Sequence, residues 1–351
     1  MKLMDLLKTK DEVFNQFLSS MDSCQEVVLG DSPYKYHFAP HPVMENYFLL
    51  CTRRHELVLN EQNFSSLCKL TGIPTSYTSR VPKELLFPHL SYWLSQEGGM
   101  RVKILLKPGQ VCDSDGRLII LSVGDVSAVY IPPSRVFSWL DSVLGDSYQI
   151  EGFIDKDVSW NSVSFGVVHP DYKFELEGVS PEVGDILYGG LKLKYSVFGK
   201  LRFIVATFLL TLVCLNGMIS ANELYRAKQL SSIEDLEQWF LASAEEGIAA
   251  LSKEVERVHE LTKIKISPEE IAPYLIALFE RYKISKSLRE FILSKAMVRS
   301  PSTLYELMNI VTEVAHETEK QKDVFALQSL GGQVVENSYR CSTCHRPFYA
   351  F

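Results

Sequence analysis

Between Gly189 and Asn222 the chain contains no Asp or Glu, and inside that window Phe203 to Leu215 is apolar except for Thr207 and Thr211. Any fold has to bury this run, because its 13 residues fall well short of the ~20 that a helix needs to cross a bilayer. It closes on Asn216-Gly217, a pair that tolerates the left-handed backbone in which helices stop. The expectation is a buried helix over Leu201 to Leu215. Just upstream, Leu191, Leu193 and Tyr195 alternate with Lys192, Lys194 and Ser196, which predicts a strand over Ile186 to Phe198 with one apolar and one basic face.

Charge is segregated around this strand. The chain carries a net charge of -7, which argues against nonspecific coating of nucleic acid by the whole surface. Acids crowd Asp141 to Leu187, whereas the next charged residues are Lys192, Lys194, Lys200 and Arg202. A basic strip on an acidic protein is a natural contact for phosphates, and its alternative is a solvated strand face neutralised by the acidic neighbour. Single-strand binders track the backbone with Lys and Arg and stack bases on aromatics. Lys192, Lys194, Lys200, Arg202 and Tyr195 are therefore the expected nucleic-acid contacts.

The expected fold class is α+β, an antiparallel sheet with packed helices in the middle followed by a helical C-terminal block. Residues 1–135 read as an N-terminal mixed α/β domain, with helices over Met4 to Ser19, Asn60 to Leu70 and Leu85 to Leu94. Strands over Val102 to Leu106 and Leu118 to Val123 flank an Asp113-Ser114-Asp115-Gly116 turn. Residues 136–225 read as a sheet-plus-helix core: a helix over Phe137 to Leu144, then strands over Tyr148 to Asp155, Val158 to Val168 and Ile186 to Phe198. The face carrying Lys192 and Lys194 is expected to be exposed. Residues 226–330 form the helical block, with a long helix from a Ser231-x-x-Glu234 capping box to Thr262, another opening at Ser267-Pro268, and a last one over Thr303 to Phe325. Residues 331–351 are a tail.

That tail holds Cys341-Ser342-Thr343-Cys344-His345. Cys-x-x-Cys-His is a haem-attachment pattern, but that chemistry goes with export, and the charged start MKLMDLLKTKDEVF does not read as a secretory signal. Zinc is the better expectation, since one tight turn presents two thiolates, and His345 or a neighbouring subunit can add ligands. A reduced tail with two ordinary thiols is the alternative. The 7 cysteines, an odd number without a framework spacing, point to reduced thiols in a host cytoplasm. Two Glu-x-x-His pairs, Glu256 with His259 and Glu313 with His316, have the spacing used by di-metal helical bundles, although ordinary surface pairs share it. No phosphate-cradling Gly-rich loop, Gly-x-Ser-x-Gly elbow or His-Glu-x-x-His occurs, so an enzyme is not expected.

Val183-Gly184-Asp185, Ser196 and Leu212-Val213-Cys214 with Asn216-Gly217-Met218 also carry a resemblance. The order of these blocks resembles the phage/plasmid-like family called domain of unknown function 932. Thr211 stands where that family commonly has Arg, and Leu215 where it has Thr. Weaker likenesses lie at Gly72-Ile73-Pro74 with Tyr77 and Pro82, and at Asn309-Ile310-Val311-Thr312-Glu313. The resemblance implies a phage or plasmid origin. Taken together, the reading is a cytoplasmic, oligomeric nucleic-acid-binding protein that works on single strands in recombination or replication, including annealing. Its alternative is a structural or inhibitory protein whose helical block binds a host or phage protein.

Overall fold

The computed structural model describes residues 7–15, 24–30, 35–53, 55–78, 80–96, 101–111, 117–151, 163–176, 186–199, 203–211, 217–227, 230, 232–282, 284–318 and 321–337. The chain starts with β1 (Lys8–Thr9) and α1 (Lys10–Val13). Thr9 and Glu12 cap this short helix reciprocally, Thr9 Oγ1 accepting from the Glu12 N–H and the Glu12 carboxylate from the Thr9 N–H. Of the helix expected over Met4 to Ser19, the described part is helical from Lys10 to Asn15 and is preceded by the two-residue strand β1.

Next come β2 (Gln25–Leu29), β3 (His37–Pro40), β4 (Tyr47–Cys51), β5 (Glu56–Asn60), α2 (Glu61–Leu70), α3 (Thr75–Thr78), α4 (Phe87–Ser95), β6 (Val102–Val111) and β7 (Leu118–Asp125). The strands form one sheet in the order β2-β6-β7-β5-β4-β3, antiparallel except for the β5–β7 pair. Phe64 and Leu67 of α2 and Phe87, Leu90 and Leu94 of α4 pack on one face against Phe48, Leu59 and Ile120. Asn60 caps α2 through its side chain. Cys68, buried on α2, has its thiol pushed up to about 11 by burial, which leaves it an inert core residue. The turn at 113–116 lies outside the described residues.

The second sheet contains β1, β9 (Gln149–Glu151), β10 (Val163–Glu175), β11 (Ile186–Tyr195), β13 (Phe203–Thr211) and β14 (Gly217–Arg226), in that order and antiparallel throughout. A two-stranded ribbon of β8 (Val129–Tyr130) with β12 (Phe198–Gly199) is formed beside them, and α5 (Pro133–Leu144) packs on the second sheet. Phe198 packs with Leu105, Leu121 and Ala128 on the back of the first sheet, joining the two layers.

The apolar run is therefore not a helix: Phe203–Thr211 is the strand β13. The reason is burial on both sides. Phe203 and Val205 face Trp139, Leu236 and Phe240, while Ala206, Phe208 and Leu210 pack on the opposite face with Val168 and Ile219. A strand covered on both faces loses its polar alternation and reads as a continuous apolar stretch, which periodicity cannot separate from a buried helix. Leu212 to Asn216 lie outside the described residues.

The rest is helical: α6 (Ile233–Ala249), α7 (Leu251–Lys263), α8 (Pro268–Tyr282), α9 (Lys286–Arg299), α10 (Leu304–Glu313) and α11 (Gln321–Glu336). The single helix expected up to Thr262 is broken at Ala250, and the cap of α6 is Ser232 bonding the Asp235 N–H, one residue beyond the expected box. The helix expected over Thr303 to Phe325 is likewise two, α10 and α11, separated by a short 3-10 turn over Val314–Glu317. With α6 and α5 on the front face and α11 along β14 on the back, the second sheet is a covered layer. The architecture is α+β with a helical C-terminal block. No helix among the described residues is long and apolar enough to cross a membrane.

Candidate nucleic-acid interface

The alternation in β11 places its side chains as expected, but both faces meet protein. Leu191, Leu193 and Tyr195 point to the front core. Tyr195 is 1% exposed and its ring stacks on Phe203 at 5.0 Å, so it offers no face to a base. Its place among the expected contacts is corrected for that reason.

Lys192 is corrected as well. Glu151, Gly166 and Lys192 occupy one row across β9, β10 and β11, and residues directly opposite on neighbouring strands share a face. Because Gly166 has no side chain, the outer two meet above it. Lys192 Nζ lies 3.1 Å from Glu151 Oε2, with side chains 1% and 5% exposed. A Cβ at position 166 would come within 2.9 Å of both Glu151 Oε2 and the Phe208 ring. The Phe208 ring centroid is 5.2 Å from the ammonium, and Gln328 of α11 donates weakly to Glu151 Oε1 at 3.4 Å. Burying either charge alone is costly, so this pair fixes the register of three strands and the seat of α11. Gln149 Oε1, Gln328 Oε1 and Ser329 Oγ, also buried here, have no hydrogen-bond partner among the described residues.

Two residues further along β11, toward the end of the sheet, Lys194 is only partly covered. Its Nζ sits 4.8 Å from the ring centroid of Phe325 on α11. The pairings Lys194 with Ile204 and Ile204 with Arg226 put Arg226 on the same row and the same face. Lys194 and Arg226 line a cleft of about 380 Å³. Arg226 also belongs to a second cleft of about 480 Å³, whose walls include Tyr282, Phe325, Ser329 and Gln333. Among the described residues, none that lines either cleft is acidic.

Arg226 and Phe325 were not singled out by sequence. Arg226 comes into register with Lys194 only if Phe203–Thr211 is a strand, so the helix reading hid it. Lys200 and Arg202, and the zinc set Cys341, Cys344 and His345, lie outside the described residues. Among the described residues no cluster of three or more His, Cys, Asp or Glu side chains is placed to hold a metal ion.

Glu313, one half of a Glu-x-x-His pair, is committed elsewhere: its carboxylate accepts from Arg299, with Nη2 at 2.9 Å, and pairs with Lys295 at 3.2 Å. Burial alone would raise its pKa, but the two cations outweigh burial and hold it below the ordinary value. A carboxyl depressed in the folded state stabilises above its unfolded pKa and loses that contribution as pH falls through its folded pKa. The α9–α10 contact is therefore expected to loosen as pH drops below the usual glutamate range. Glu313→Gln should flatten the acid limb of a stability-versus-pH curve, read by urea midpoints.

Comparison with family models, curated proteins and solved structures finds no match to this chain.

Proposed function

We propose that this chain is a non-enzymatic nucleic-acid-binding protein that holds single strands in the paired clefts at the end of the second sheet. The observation that carries the reading is the lining around Lys194 and Arg226, free of acids among the described residues, on a protein of net charge -7. Two cations on one row provide phosphate contacts, while Phe325 and Tyr282, both half-buried, offer ring edges and faces beside them. Lys200 and Arg202, close in sequence to this end of the sheet, extend the same basic strip in the proposal. A phage or plasmid origin, a role in recombination or replication, a cytoplasmic site of action and self-association belong to the same reading. So does zinc at Cys341, Cys344 and His345, which rests on ligand spacing alone.

A second reading has one observation of its own. Phe291 and Val298, seven residues apart and so on one side of α9, are 44% and 83% exposed, as expected of a helical block that docks on a host or phage protein.

The test is fluorescence anisotropy with a labelled oligo-dT strand over a range of salt. Each phosphate neutralised contributes about -0.7 to the slope of log affinity against log salt. Lys194→Glu with Arg226→Glu should reduce the slope by about 1.4, two phosphates at ~0.7 each, and weaken binding at low salt. A charge-reversed protein that binds as tightly and with the parent's salt slope would sink the proposal.

A further inference from the structure

A third cavity lies far along the chain from the basic clefts, on the first sheet. Strands β2, β5, β6 and β7 bring Val27, Leu29, Leu57, Leu106 and Leu118 to one face. Helices α2 and α4 cover the middle of that face, yet Val27, Leu106 and Leu118 stay only partly buried. They floor a groove of about 450 Å³, within the range of small-molecule sites.

The rim has the opposite chemistry. Lys35, Arg53 and His55 line the groove and are exposed. The β4–β5 turn that carries two of them is built firmly: the Thr52 N–H and hydroxyl both donate to the His55 carbonyl, at 2.8 and 2.9 Å, and the His55 N–H donates back to Thr52 Oγ1 at 3.0 Å. Among the described residues, no acidic one lines the groove.

An apolar floor beneath a cationic rim is complementary to one kind of molecule. We infer that the groove binds a free single-chain aliphatic carboxylate, its chain on Val27, Leu106 and Leu118 and its head between Lys35 and Arg53. Charge complementarity selects the anion, and Val27, Leu106 and Leu118 give its chain an aliphatic floor beside the largely buried Tyr36, which also lines the groove. Burial of the chain supplies the affinity, and the head group sets its direction.

Methyl NMR on the full chain, titrated separately with decanoate, 1-decanol and anionic phospholipid vesicles, tests the assignment. Decanoate should shift the methyls of Val27, Leu106 and Leu118 at micromolar concentrations. Decanol, which keeps the chain and lacks the charge, should bind about tenfold more weakly, the scale of one charge-assisted hydrogen bond. Lys35→Glu with Arg53→Glu changes exposed residues and should remove that preference while leaving the unliganded spectrum of the core unchanged. Equal binding of decanoate and decanol, shifts with vesicles but not with decanoate, or no methyl shift with decanoate at millimolar concentration would each overturn it.

Discussion

Replacing Lys192 with Met is expected to lower the stability of the fold by about 3–5 kcal/mol, the usual cost of stripping one partner from a buried ion pair. The side chain is 1% exposed and its ammonium is the counter-charge that Glu151 has at 3.1 Å. Without it, the carboxylate either stays charged in an apolar layer beneath Phe208 or takes up a proton, and each course costs free energy. The double replacement Glu151→Leu with Lys192→Met removes both charges and should recover most of the loss, since hydrophobic residues of similar size often substitute for a buried pair at no net cost. Urea unfolding of the parent, the single and the double variant decides it. A single variant as stable as the parent, or a double variant no better than the single, would show that the pair does not act as a unit.

Gly190→Ala is expected to be more damaging still. An added Cβ there would lie 1.9 Å from the Val167 carbonyl oxygen and 2.8 Å from the Val168 Cα, both backbone atoms of the paired strand. A side chain can rotate away, whereas the strand could yield only by opening the ladder at the point where β10 already shifts register between Val168 and Lys173. The expected cost exceeds ~4 kcal/mol, the exceptional end of single substitutions, and should appear as loss of soluble protein or of the cooperative transition. Gly72→Ala makes a useful contrast. Position 72 has φ +82° with no atom within 4 Å of its missing Cβ, so only backbone strain of about 1–2 kcal/mol is expected. Equal effects at both positions would refute the steric account.

The period-two pattern of β11 was legible, as was α2, whose start Asn60 caps; α5 was read from Phe137 although it starts at Pro133 without a side-chain cap, and the α6 cap was read one residue early. Phe203–Thr211 was not legible, because cover on both faces erased the polar half of its pattern. That error propagated. With β13 read as a helix on one side of the sheet, the other face was left to solvent, so Lys192 looked exposed and Arg226 had no neighbour in register. Nothing in the local sequence of Lys192 or Gln328 announces that they meet Glu151; the pairing depends on contacts between residues 41 and 177 positions apart. Alternation put Lys194 on the face away from Leu193 and Tyr195, but its neighbours there, Phe325 and Arg226, were not foreseen.

Helix α11 has two duties, since Gln328 closes over the ion pair while Phe325 and Ser329 form a wall of the cleft. Widening the cleft by lifting this helix would wet a buried charge pair, so the wall is held at its spacing before any guest arrives. A guest that fits then meets a site already in its final shape, and little ordering remains to be done on arrival. Under the proposed function, capture at such a site would be governed by collision and long-range attraction rather than by a slow opening step. A guest too broad for the cleft is turned away by the stability of the fold itself.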